Sequence, residues 1–282
     1  MMNPRRIANF KDDIPLTGIE DVRFPAVVEQ PVYAHGTLNA THAKVRIPEY
    51  KALVNPQTGF VYSVNSDAYK TVRHEELLGS AIDALHRINE PYALQVLFPN
   101  EGRQMWAKIH LMERRYEVRQ GDFVRPTIEI FGSYDKSWAS RAVFGAFRLV
   151  CTNGMVVGAK FGAIRTAHLS VFDTADLIEM VKDSHGVFVA QTGRWAEMQT
   201  AYVTPERYER VIADLRLPVA QLRSLEAEVE VSSMKMIEDL KYRTLSEWDF
   251  LNLITQNLTH DRAMVRNRRR QAETFQRLRG LF

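Results

Sequence analysis

The apolar residues of this 282-residue chain change period near Asp173, and that change constrains the fold more than any other feature. Before it, apolar and polar residues alternate. Over residues 104–112, Met105, Ala107, Ile109 and Leu111 fall on one side and Gln104, Trp106, Lys108 and His110 on the other, the period of two that belongs to a strand. Such alternation predicts an antiparallel sheet with one covered face. The runs 50–54 and 60–64, joined by Asn55-Pro-Gln-Thr-Gly59, predict a hairpin, because Asn, Pro and Gly supply the turn. Further strands are expected at 92–98, 126–131, 142–152 and 163–172, with Asn153-Gly154 as a hairpin tip. One helix interrupts them over 73–88, where Leu77, Leu78, Ala81, Ile82 and Leu85 recur at three- and four-residue spacing.

After Asp173 the pattern is helical. Asp173 or Thr174 caps a helix over 174–201, in which Gly186 and Gly193 each cost about 1 kcal/mol relative to Ala. Thr204-Pro205 opens another helix and Pro218 ends it. An acidic amphipathic stretch follows over 219–240. Ser246 opens a helix with the stripe Leu251, Ile254 and Leu258, and a basic helix fits 261–279. The expected fold class is α+β, an antiparallel strand-rich domain followed by a helical C-terminal region. Its expected divisions are an extended, Pro-punctuated N-terminal arm (1–43), the strand-rich domain (44–172), the helical region (173–260) and an Arg-rich tail (261–282).

Several function classes lose support here. The single cysteine, Cys151, rules out an internal disulfide and a Cys-clustered zinc site. No stretch is apolar for long enough to span a bilayer, and residues 1–15 lack the apolar core of a secretory signal. A cytoplasmic chain with no membrane partner is therefore expected. No Gly-rich loop ends in Gly-Lys-Ser/Thr, His74-Glu75 lacks a second histidine four residues on, and the eight histidines are scattered. No catalytic residue, metal ligand or cofactor is predicted.

Charge is distributed by segment. Residues 125–172 carry six Lys/Arg against two acids, residues 173–260 nine against fifteen, and residues 261–282 seven Arg against two. Basic blocks of this kind meet either a polyanion or an acidic block of the same or a neighbouring molecule. The densest candidate is 131–168, where Tyr134, Lys136, Trp138, Arg141, Arg148, Lys160 and Arg165 interleave aromatics with cations. Single-stranded nucleic acid needs both: cations follow the phosphates and ring faces stack unpaired bases. The bland reading is that the aromatics are core and the cations a solvated face. Arg268, Arg269 and Arg270 in the tail suit phosphate contacts, or else neutralise the acidic helices.

The segments Gly132-Ser-Tyr-Asp-Lys-Ser137, Phe147-Arg-Leu-Val-Cys-Thr-Asn-Gly-Met155 and Ala167-His168 resemble the phage/plasmid-like protein family defined by domain of unknown function 932. Trp248 to Thr255 and Thr259-His260 resemble its C-terminal helix, so the likeness covers most of 45–260. Gly132 stands where that family often has Asn. The resemblance implies a phage, prophage or plasmid setting and no proven activity. Together these readings lead to a non-enzymatic single-stranded-DNA-binding or annealing protein that works as a homo-oligomer. The alternatives are a protein that binds a host or phage protein, and an enzyme using Asp135 and His168. The segments 133–137 and 151–154 are expected to lie close together, with Asp135 and Asn153 structural.

Overall fold

The computed structural model describes residues 18–38, 41–148, 153–155, 163–165, 170–227, 245–260, 268–278 and 281–282. Among the described residues the elements order as β1 (Val28–Leu38), β2 (Thr41–Val54), β3 (Val61–Ser66), α1 (His74–Arg87), β4 (Tyr92–Leu97), β5 (Gln104–Leu111), β6 (Tyr116–Arg119), β7 (Asp122–Ser133), β8 (Arg141–Arg148), β9 (Asn153–Met155), β10 (Ala163–Arg165), α2 (Thr174–Met198), α3 (Pro205–Leu215), α4 (Glu247–His260) and α5 (Arg268–Leu278). Residues 219–227 are also helical. The fold is the expected α+β: antiparallel strands first, helices after.

Two sheets form. The larger runs β10-β8-β7-β5-β4, with β6 added on β7 and β9 on β8. The smaller is β1-β2-β3. Because β1 pairs with β2 from Val28↔Val54 to Leu38↔Thr41, the boundary expected at residue 43 falls inside a strand.

Helix α1 starts where the backbone N–H of Arg73 donates to Glu76 Oε2 at 3.0 Å, and two acids sit in its first turn, where the helix dipole favours them. Its stripe of Leu77, Leu78, Ala81, Ile82 and Leu85 is buried. Gly132 of β7 lets it come close: a Cβ there would lie 2.7 Å from Leu77 Cδ2. Asp173 caps α2, accepting from the Ala175 N–H at 2.7 Å. The helix runs unbroken past Gly186 and Gly193, both on its open side. Its buried side is Leu177, Val181, Ser184, Phe188, Gln191 and Trp195, a three/four spacing that the glycines do not interrupt. Arg114 ties this layer to the sheet, pairing with Glu90 at 2.7 Å and donating to Val181 O and Ser184 Oγ of α2.

The helical end closes on itself. Thr204 Oγ1 caps α3 and Ser246 Oγ accepts from the Asp249 N–H at the start of α4. Leu251, Ile254 and Leu258 are fully buried as the spacing predicts. The described part of the Arg-rich segment is not a free tail. Phe275 and Leu278 of α5 belong to the main core, and Arg277 donates to Leu215 O at the end of α3, where a cation suits the helix dipole.

One expectation fails in an informative way. All eight residues of β5 are buried, on both faces, so the larger sheet is covered on both sides at its centre. Its apolar side meets α1 and α2. The other side is polar.

Candidate functional site

Antiparallel register assembles that polar side. Lys108 of β5 stands opposite Gln95 of β4 and Glu129 of β7. Trp106 stands opposite Phe131, and His110 opposite Thr127. On β8, Arg141 and Gly145 stand opposite Phe131 and Thr127. Arg125 continues the same face of β7. At the edge, Arg165 of β10 stands opposite Arg141. Residues directly opposite share a face in an antiparallel pair, so among the described residues the cations Lys108, Arg125, Arg141 and Arg165 share this one with Glu129 of β7.

The centre of the face is buried and bonded. Trp106 Nε1 donates to Glu129 Oε2 at 3.1 Å. The Lys108 ammonium sits 4.7 Å above the Trp106 ring, and Lys108 is only 5% exposed, so the cation–π attraction acts with little water between. His110 Nε2 meets Gln95 Oε1 at 3.1 Å. Burial, then the charges of Lys108 and Arg125, push the His110 pKa down to about 3, so its ring is neutral near pH 7. Gly145 leaves room for the group: a Cβ there would come within 2.8 Å of both Glu129 Oε1 and Thr127 Oγ1. Toward the rim the cations open out. Arg125 and Arg141 are half-buried and Arg165 is exposed, and the Arg141 guanidinium stacks 4.5 Å from the Phe131 ring.

The residues singled out from sequence separate into three groups. Arg141 and Arg165 lie on this face. Lys136 is exposed at the turn after β7, with positive φ, its ammonium 4.5 Å from the Tyr69 ring. Arg270 is exposed on α5. Arg148, Arg268 and Arg269 are placed only by their backbones, at the end of β8 and the start of α5. Lys160, Cys151 and His168 lie outside the described residues.

Tyr134 and Trp138, expected to stack bases, are core residues instead. Both are buried, and neither presents a ring face for a base. Tyr134 stacks on His74 at 4.0 Å and packs on Tyr62 at 5.3 Å; its hydroxyl accepts from the His74 N–H. With Leu53 and Tyr62 it forms the small second core, so it pins the smaller sheet to the larger. Trp138 packs edge-on to Phe131. Glu129, Lys108, His110 and Arg125 were not singled out. The alternation already set Lys108 and His110 off the apolar face; what was hidden was which acid of the next strand faced them.

Asp135 has the structural role expected of it. Its Oδ1 accepts from the Ser137 N–H at 3.0 Å and from the Ser137 hydroxyl, and Ser133 Oγ bonds both N and O of Trp138. Asn153-Gly154 is not a hairpin tip. It lies in β9, opposite Arg148 and Phe147, and those pair with Val124 and Arg125. Ser133 is nine residues further along β7, about 30 Å away at strand rise. Asn153-Gly154 and Ser133 therefore sit at opposite ends of the larger sheet.

Among the described residues no three His, Cys, Asp or Glu side chains are grouped to hold a metal ion, and no helix is long and apolar enough to cross a membrane. No solved structure matches the chain. The chain is similar to the UPF0380 protein YafZ of Escherichia coli (strain K12), 29% identical over 128 residues. That stretch is 45% of this chain and 46% of the relative, so the likeness spans less than half the relative's length. Residues 61–282, from β3 through all the helices, match the family described as Domain of unknown function (DUF932), and the chain belongs to that family.

Proposed function

We propose that the protein binds single-stranded nucleic acid through the rim of the polar sheet face, without catalysis. The observation that carries this reading is the alignment of Arg125, Arg141 and Arg165 on one face of β7, β8 and β10. Each guanidinium fork matches the oxygens of one phosphate. Arg125, on the same face, extends the track toward the far end of β7. The aromatic residues of the face, Trp106 and Phe131, are covered by Lys108 and Arg141, so phosphate contact rather than base stacking supplies the affinity. In this reading the protein serves a phage or other mobile element, in the bacterial cytoplasm and as a homo-oligomer, and annealing would need neither nucleotide nor metal.

Anisotropy of a labelled single-stranded oligonucleotide tests it. Affinity should fall steeply with salt, and Arg141→Ala with Arg165→Ala should reduce the slope of log affinity against log salt by about 1.4, at about 0.7 per phosphate contact. The loss should be the same for every base sequence. Absence of binding at low salt rejects the proposal.

A further inference from the structure

The smaller sheet has two parts. At its base, below the register shift between Pro31 and Val32, Glu29 pairs with Lys51 at 3.0 Å and with Thr71, and Leu53 and Tyr62 are buried. Above the shift, β2 carries three extra residues, Pro48 to Tyr50, and β1 and β2 run on alone from Val32↔Ile47 to Leu38↔Thr41. That is seven paired residues, about 20 Å of two-stranded ribbon. Its described side chains are exposed or half-exposed on both faces.

The ribbon is sided. Tyr33 stands opposite Arg46 and His35 opposite Lys44, so these four share one face, and the Lys44 ammonium lies 4.0 Å from the Tyr33 ring. Val32, Ala34, Gly36, Val45 and Ile47 take the other face. From Gln30 to Pro48 the sequence contains no acid. Three features coincide: an extended two-stranded ribbon with exposed or half-exposed side chains, a cationic face, and no carboxylate within residues 30–48.

We infer that this ribbon is a second nucleic-acid contact, and that it seats in the major groove of a double helix, with Lys44 and Arg46 on the phosphates. The inference rests on the nucleic-acid reading of the sheet face but uses a different surface and a different form of the ligand. A two-stranded ribbon fits a groove about 12 Å wide, whereas a single strand offers no groove to hold it. The protein would then grip a duplex with the ribbon and an unpaired strand with the sheet rim, as at the growing end of an annealed product.

The test uses the full chain and three variants: Lys44→Ala with Arg46→Ala on the ribbon, Arg141→Ala with Arg165→Ala on the sheet, and Val45→Glu on the ribbon's apolar face. Each is titrated with a duplex and with a single-stranded oligonucleotide. The ribbon cation variant should lose duplex affinity, its salt slope falling by up to about 1.8, at about 0.9 per contact on duplex DNA, and keep single-strand binding. The sheet variant should do the reverse. A wild-type protein that binds duplex but no single strand rejects the sheet reading and leaves the ribbon standing. Unchanged duplex binding by the ribbon cation variant, or equal loss of both ligands, overturns the ribbon assignment. So does a Val45→Glu protein with halved mass by light scattering while duplex binding ignores Lys44 and Arg46, because the ribbon then joins two copies.

Discussion

The centre of the larger sheet and the tip of the smaller one carry similar residues in opposite surroundings. Trp106, Lys108 and His110 are buried on the polar sheet face, whereas Tyr33, Lys44 and His35 on the ribbon are exposed. Both regions place a lysine over an aromatic ring, at 4.7 Å in the sheet and 4.0 Å on the ribbon. The distances are close, yet the consequences differ. In the sheet the charge is desolvated and must be answered by Glu129 and its neighbours, so the group holds the fold. On the ribbon, water answers it, so the charge is available to a ligand. Burial, not residue type, separates the structural set from the set proposed to bind.

Removing the two aromatic rings breaks this comparison most sharply. Trp106→Ala should destabilise by about 3–5 kcal/mol, from the lost packing and the cavity left behind, and it also deprives Glu129 of the indole donor. Tyr33→Ala should stay within about 0.5 kcal/mol, as surface changes do. Urea unfolding of the two variants measures the difference. Equal losses would mean that the ribbon is packed against something in solution.

The two glycines give a smaller contrast. Gly145→Val should cost about 1–3 kcal/mol by overpacking against Glu129 and Thr127. A Cβ at Gly36 meets nothing within 4 Å, so Gly36→Val should be neutral or gain up to about 1 kcal/mol from strand preference. Thermal unfolding reads both, and a destabilised Gly36→Val would show that the ribbon's apolar face is occupied.

The comparison also explains what sequence could and could not reveal. Elements held by local rules were legible: the α1 stripe, the Asp173, Thr204 and Ser246 caps, and the hairpin between β2 and β3 all follow from neighbours in the chain. The Asp135 turn was legible for the same reason. Tyr134 and Trp138 were misplaced because the cations beside them in sequence suggested a surface, while their burial depends on Tyr62, His74 and Phe131 from other strands and the helix. Asn153-Gly154 carries a strong turn signal, but strand pairing with Arg148 and Phe147 overrides it. The polar sheet face needs residues 95, 108, 129 and 141 brought together by register, and register is a property of the whole sheet. The prolines predict an extended arm up to residue 43, and the pairing of that arm with residues 41–54 is what local sequence does not carry. Pro31 and Pro48 mark the register shift where the ribbon leaves its base.

Protonation of the buried histidines sharpens the contrast by the smallest step. Burial lowers the His74 pKa to about 4, against the raising effects of its bond to Gly102 O and of Asp135; His110 falls to about 3. Both folded-state values lie below the unfolded value of about 6.5, so between them the unfolded chain binds more protons than the folded one. The stability each neutral ring contributes is therefore complete above about pH 6.5. It is lost as pH falls, down to about 4 for His74 and about 3 for His110. Well inside that window each histidine should cost on the order of 1 kcal/mol per pH unit. Unfolding midpoints measured from about pH 7.5 to 5 should decline, and His110→Gln should make the decline shallower by removing one of the two rings. A wild-type midpoint that stays level over that range would show that water reaches His110, and with it that the sheet face is open rather than sealed.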